Sequence, residues 1–134
     1  MENRYLLRAK KDTGEWGIGY VSRPHCTDTE KGIKSFYFFE ATKRGVYDQC
    51  IVLADTICQC TGLKDKNGKL IWENDIVNCP NVERCGYIGW NESEAGFYFN
   101  ALLEDGGFEE EHIYDSQDCM EVIGNTFDDP ELLE

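Results

Sequence analysis

Seven cysteines and two histidines are the side chains of this sequence best suited to chemistry. A tetrahedral zinc site usually takes its ligands in pairs two to four residues apart, twice over, so that two turns present four thiolates or imidazoles. The chain offers Cys58-x-Cys60, the wider pair Cys79 and Cys85, the dipeptide His25-Cys26, and the isolated Cys50 and Cys119, but no C-x-x-C. Cys58 and Cys60 would share one face of an extended segment, which suits small apolar side chains in a core. The pattern favours buried free thiols over a metal site, and no cofactor is expected. Nucleophilic catalysis would need His25 or His112 beside an activated thiolate, and the spacing suggests no such pairing. His112, within EEEHIYD, reads as a half-exposed strand residue. Phosphate-loop, G-x-S-x-G and calcium-loop patterns are missing. Carboxylates are so numerous that some pair will always approach the separation a hydrolase uses. No catalytic residue is assigned, and the protein is not expected to be an enzyme.

Charge is more informative. The 134 residues hold 26 Asp and Glu against 13 Lys and Arg, a formal charge of −13. Every Lys and Arg lies between Arg4 and Arg84, so residues 1–84 carry +1 and residues 85–134 carry −14. Affinity for phosphate backbones comes from cations that release counterions, and beyond Lys64, Lys66, Lys69 and Arg84 the C-terminal part has none. The balance speaks against nucleic acid as a partner. It leaves open the converse, an acidic half that imitates nucleic acid in a basic groove of another protein. The longest apolar runs, FYFF at 36–39 and CIVLA at 50–54, fall far short of the ~18 residues of a membrane span. The polar start MENRYLLRAKKD lacks the apolar stretch of a signal peptide. An odd number of cysteines fits free thiols in a reducing cytoplasm.

The elements that must position these residues read as strands. Tyr5 to Lys10, the turn KDTG at 11–14, and Trp16 to Ser22 form a first hairpin, with Trp16, Ile18 and Tyr20 on one parity. Residues 23–34 hold Pro24, Gly32 and five charges without an apolar period, and are expected to be a surface loop. Phe36 to Ala41 is a strand with its turn at TKRG, 42–45. Val46 to Leu53 continues as a strand or a short helix, which periodicity alone does not decide. Beyond Gln59, Asn67-Gly68 and Asp105-Gly106-Gly107 are strong turn signals. They separate short apolar segments at even spacing: Leu70 to Trp72, Ile76 to Cys79, Tyr87 to Trp90, Phe97 to Leu103, Phe108 to Tyr114 and Met120 to Asn125. Such a series suits a small barrel. Phe97, Phe99, Ala101 and Leu103 are expected to face the core, met by Ile88 and Trp90 and completed by Val122 or Ile123. The acids on both faces of FEEEHIYD mark an edge strand. Helix is confined to a turn near Trp72 to Asp75 and to the tail PELLE.

Three blocks, QCTGLKDKNGKLIWENDIV at 59–77, GYIGWNESEAGFYF at 86–99 and EVIGNTFDDPELLE at 121–134, resemble in order and spacing the successive signatures of the YopX family, small proteins of phages and prophages. The chain departs from the family pattern at Cys58 and Cys60, where Gly and Tyr are usual, and at Asn74-Asp75, where a Gly-Asp pair is usual. Asn tolerates positive φ better than other non-glycine residues, so that turn should survive. The resemblance implies a mainly-β chain: an N-terminal β region at 1–58, and at 59–134 a C-terminal SH3-like small barrel with a short tail. It implies no enzymatic activity. The resulting expectation is a cytoplasmic, phage-type accessory protein that binds a host or phage protein without catalysis. Its binding surface would be Trp72, Tyr87, Tyr98 and Tyr114, rimmed by Glu109, Glu110 and Glu111. A second copy of the chain could cover the same surface. The alternatives kept are a nucleic-acid-binding SH3-like barrel and the acidic nucleic-acid mimic.

Overall fold

The computed structural model describes residues 5–42, 45, 47–79, 84–113 and 119–134. The chain is mainly β, with two antiparallel sheets, and divides into two compact units, Met1–Cys60 and Thr61–Glu134. Among the described residues helix is limited to short 3-10 turns such as Ala54–Thr56 and Pro130–Leu133.

The first unit contains β1 (Leu7–Lys10), β2 (Trp16–Asp28), β3 (Gly32–Ala41), β4 (Tyr47–Leu53) and the start of β5 (Cys58–Lys64), in the spatial order β4-β3-β2-β1-β5. The meander curls, because a bridge between Lys11 and Val52 and a hydrogen bond from Asp12 N to Ile51 O at 3.0 Å bring the end of β1 back to β4. Ala9, Phe38 and Val52 fill the inside of the curl, with Leu7, Val21, Phe36, Cys50 and Ile57 packed around them. Thr56 secures the exit from β4. Its hydroxyl donates to Leu53 O at 2.7 Å and accepts from Lys10 N at 2.9 Å. The segment left open between strand and helix is therefore a strand followed by a single 3-10 turn.

Residues 23–34 are not a loop. They are the outer half of the β2–β3 hairpin, in which Asp28 Oδ1 accepts from the backbone of Glu30 and Lys31 to close the turn. Register shifts at Val21/Arg23, Pro24/Cys26 and Cys26/Thr27 accommodate Pro24, which has no N–H to give a ladder. Most side chains here face solvent on both sides, so nothing imposes the apolar alternation by which a strand is read from sequence.

In the second unit β5 continues and pairs with β6 (Leu70–Trp72). The five-stranded sheet holds β7 (Asp75–Cys79), β8 (Arg84–Asn91), β9 (Gly96–Leu102), β10 (Phe108–His112) and β11 (Glu121–Asn125), in the order β10-β9-β8-β7-β11. The expected turns are present. Gly68 and Gly106 have positive φ, and so does Asn74 at 70°, where the family pattern has glycine. Asp75 closes that turn by accepting from Trp72 N at 2.8 Å.

The core of this unit comprises Ile71, Val77, Cys79, Ile88, Phe99, Ala101, Ile113 and Met120, with Phe97 and Val122 partly buried against it. Phe99 and Ala101 are where the alternation put them. Leu103 and Trp90 are exposed instead, because Leu103 lies beyond the end of β9 in the turn to β10 and Trp90 sits near the far end of β8, edge-on to Phe97 at 5.0 Å. Ile123 is likewise exposed.

Asp65 joins the 62–69 turn to the last strand. Its Oδ1 accepts from Asn67 N and Lys69 N, both at 2.9 Å, and its Oδ2 from Val122 N at 3.0 Å. Burial alone would raise this carboxyl's pKa, but the three amides outweigh it and hold it below the ordinary carboxylate value. At Gly124 the register slips by one residue, and a Cβ there would meet Asp129 Oδ2 at 2.5 Å. Asp129 can reach Asn125 N at 3.2 Å only because that position is bare.

Candidate binding surfaces

The expected binding residues do not form one surface. Trp72 is 5% exposed and Tyr98 7%, so both belong to the interior of the second unit. Trp72 sits at the end of β6 inside the tight turn capped by Asp75. Tyr98 packs tilted against His112, ring centres 4.8 Å apart, and donates its hydroxyl to Glu94 Oε2 at 2.8 Å, which satisfies the one polar atom of a buried ring. Tyr114 lies outside the described residues. Tyr87 is half-buried, with Phe108 packed edge-on against it at 5.1 Å, and Phe108 is itself exposed.

The three glutamates divide by strand parity. Glu109 pairs across to Ala101 and Glu111 to Phe99, so both lie on the core side of β10, while Glu110 opposite Asn100 lies on the other face with Tyr87 and Phe108. Arg84 reaches the first two: its guanidinium is 2.8 Å from Glu111 Oε1 and 3.7 Å from Glu109 Oε2. Glu110 accepts from Asn91 Nδ2 at 2.8 Å. A continuous anionic rim is thereby reduced to Glu110 and a cluster that Arg84 partly neutralises.

Beside Tyr98 a recess of about 370 Å³ is lined by Leu63, Glu94, Phe97, Tyr98, His112 and Ile113. It offers a carboxylate held by the Tyr98 hydroxyl, a tilted imidazole, and the hydroxyl of Thr61, which donates to Ile71 O at 2.7 Å and accepts from Leu63 N at 3.1 Å. His25 Nδ1 lies 3.0 Å from Ser35 Oγ, yet Ser35 is buried under the β2–β3 hairpin, where that contact pins His25 edge-on to Tyr37. Among the described residues no group of three or more His, Cys, Asp or Glu side chains could hold a metal ion. None of the seven cysteines, all of them described, is in a disulfide, and Cys58, Cys60 and Cys79 are buried. Sequence reasoning treated Cys119 as isolated. The fold sets its Sγ 2.9 Å from that of Cys79, forty positions away in the chain. Burial, together with the Cys119 thiol, pushes the Cys79 pKa up to about 12.

The first unit holds a surface that no motif announced. Side chains directly opposite each other in an antiparallel pair share a face. The pairings Arg8–Ile18, Lys10–Trp16, Tyr20–Phe39, Arg23–Tyr37 and Ala41–Tyr47 therefore assemble one face, exposed at Ile18, Arg23, Phe39 and Tyr47 and half-buried at Arg8, Lys10, Trp16, Tyr20 and Tyr37. Phe39 is 38% exposed and Tyr47 48%, and with Tyr20, whose ring is 5.8 Å from that of Tyr47, they border an open recess of about 410 Å³. Arg8 and Lys10 lie over the Trp16 ring at 4.9 and 5.8 Å, and Arg23 over Tyr37 at 4.4 Å. The signal for this face was the shared parity of Trp16, Ile18 and Tyr20, which sequence alone could not orient inward or outward.

Among solved structures, protein EF1440 from Enterococcus faecalis is similar, with a TM-score of 0.52 at 22% identity over 96% of each chain, a likeness of fold. No curated protein matches the sequence. The sequence model of the YopX protein family matches residues 8–134, nearly the whole length and all three of the blocks quoted above, and the chain belongs to that family.

Proposed function

We propose that this protein is a non-catalytic, protein-binding accessory module, working in the cytoplasm of a bacterial host in the phage or prophage setting that the family resemblance implies. The second unit is read as an SH3-like small barrel. Supporting that reading, the last strand β11 returns to lie beside β7, the first strand of the β7-β8-β9-β10 meander, so that among the described residues β10 and β11 are the outer strands of the five-stranded sheet. The observation that carries the functional reading is the edge strand β10. It brings an exposed Phe108, seated on Tyr87, and Glu110 to one face beside what is, among the described residues, a sheet edge. An extended basic segment of a partner could add to that edge through main-chain hydrogen bonds while Phe108 and Glu110 select its side chains.

Capture from bacterial lysate tests this, comparing the wild-type chain with Phe108→Ser and Glu110→Lys variants shown by circular dichroism to be folded. A partner retained by the wild type and lost from both variants is the expected result. Identical captures, or a purified sample that turns over a metabolite unaided, would overturn the reading.

A further inference from the structure

We infer that the recess beside Tyr98 is a pocket for the guanidinium side chain of an arginine, with the Glu94 carboxylate as its counter-ion and Leu63, Phe97 and Ile113 as the walls around its methylene stem. This deepens the proposed docking of a basic segment on β10 by giving one of that segment's cations a place. It rests on that reading for the source of the arginine, and not for the pocket itself. Every residue involved belongs to the second unit.

Glu94 is the observation that carries the inference. Its Oε2 accepts from the Tyr98 hydroxyl at 2.8 Å, and among the described residues no cation pairs with either of its oxygens. Elsewhere in this unit the cations are taken: Arg84 serves Glu109 and Glu111, and Lys66 serves Glu121. A neutral hydroxyl positions the Glu94 carboxylate without cancelling its charge, and a carboxylate has room for further donors. The turn beneath it is also fixed. Asn91 Oδ1 accepts from Glu94 N at 3.1 Å, and Ala95 takes a φ of 51°, a left-handed conformation that a residue with a Cβ seldom adopts.

An occupant of this recess must be cationic at one end and apolar along its length. At about 370 Å³ the space is ample for one long side chain. Leu63 and Phe97, both half-buried, offer apolar surface of the kind against which long basic side chains lay their stems. A guanidinium suits the site better than an ammonium, because it is flat and weakly hydrated, stacks on an aromatic face such as Phe97 and forks its N–H donors onto a carboxylate. The charge of the unit acts in the same sense: four Lys and Arg against eighteen Asp and Glu draw cations toward it. His112, the last residue of β10, lines the recess and shares a strand face with Phe108 and Glu110, so a segment paired along β10 presents every second side chain on the side where the pocket opens. Tyr98 and His112 act only as walls; the ionic contact is assigned to Glu94 alone.

The test is an NMR titration of the isotope-labelled full chain with butylguanidinium, which stands in for an arginine side chain without its backbone. The backbone amides of residues 94–98 and of Leu63 should shift together and saturate, with a dissociation constant of about millimolar for so small a probe. Butylurea, of similar shape but uncharged, should leave them in place, and butylamine should bind more weakly. Glu94→Gln keeps an acceptor for the Tyr98 hydroxyl and removes the charge, so it should weaken butylguanidinium about tenfold. Glu92→Gln removes a charge from the same turn and should leave the affinity unchanged. Should Glu94→Gln fail to fold, the comparison of the three probes on the wild-type chain gives the answer without it. Phe108→Ser should not alter the titration, so loss of the lysate partner alongside normal butylguanidinium binding is a result about β10, whereas retained capture without a saturable shift strikes the pocket alone. The absence of a saturable shift, butylurea or butylamine matching butylguanidinium, shifts scattered without a focus at residues 94–98, or equal effects of Glu92→Gln and Glu94→Gln would each overturn the proposal.

Discussion

Replacing Asp65 should loosen the join between the 62–69 turn and the last strand. In the native protein its carboxylate accepts three backbone N–H groups, from Asn67, Lys69 and Val122, in a buried position. Asp65→Ala leaves all three donors without their acceptor. A buried unsatisfied donor costs about 1–3 kcal/mol. The turn itself is exposed, so water can reach Asn67 N and Lys69 N, and the larger share falls on Val122 N. The expected loss is therefore about 3–4 kcal/mol. Asp65→Asn should lose roughly half as much, since one oxygen still serves the turn while the amide group that replaces the other meets Val122 N–H as a second donor.

The pH dependence has a definite sign. A carboxyl whose folded pKa lies below its unfolded value stabilises the fold fully above the unfolded value, near 3.8, and that contribution disappears as pH falls through the depressed folded value. The stability gap between wild type and Asp65→Asn should thus be constant above about pH 5 and narrow steadily below pH 4. Urea unfolding at several pH values measures the gap, and amide hydrogen exchange at Asn67, Lys69 and Val122 localises it. A loss below about 1 kcal/mol for Asp65→Ala, unchanged protection of Val122, or a gap that widens in acid would refute the reasoning.

Two further outcomes follow from single contacts. Mild oxidation with hydrogen peroxide should join Cys79 to Cys119, peroxide taking the two thiol hydrogens and leaving as water, because their sulfurs already lie 2.9 Å apart. Peptide mapping should find that crosslink before any other, and Cys119→Ser should abolish it; a different first pair would contradict the packing. Gly124→Ala should cost about 1 kcal/mol, chiefly the hydrogen bond from Asn125 N that Asp129 must surrender when a Cβ occupies the gap. In an Asp129→Ala background the same substitution should cost almost nothing, and a full additional loss in thermal melts would show that some other clash is responsible.

How much could be read in advance varied with the range of the interaction. Positive φ at Asn74, Gly68 and Gly106 follows from sterics within four residues, and those turns were legible. The alternation of Phe97, Phe99 and Ala101 placed the centre of β9 correctly, and the acids of FEEEHIYD marked an edge strand that the sheet order bears out. The same alternation overreached at Leu103 and Trp90, since parity says which side a residue takes but not where the covering layer ends. Trp72 and Tyr98 were expected at the surface because aromatics in β segments are equally good as core and as contact. Their burial depends on the Asp75 turn and on Glu94 and His112, partners that only folding brings near.

By itself the amino-acid order determined strand character, the main turns and the concentration of negative charge toward the C-terminus, since each is set by neighbours along the chain. Tertiary structure decided register, and register decided everything that concerns surfaces: that Arg84 meets Glu109 and Glu111, that Cys79 meets Cys119, that residues 23–34 extend a hairpin, and that Tyr20, Phe39 and Tyr47 share an outward face. The physical reason is the two-residue period of a strand. Slipping a pairing by one position sends every side chain to the other side of the sheet, so the same residues make a core or a platform according to contacts made far away in the sequence.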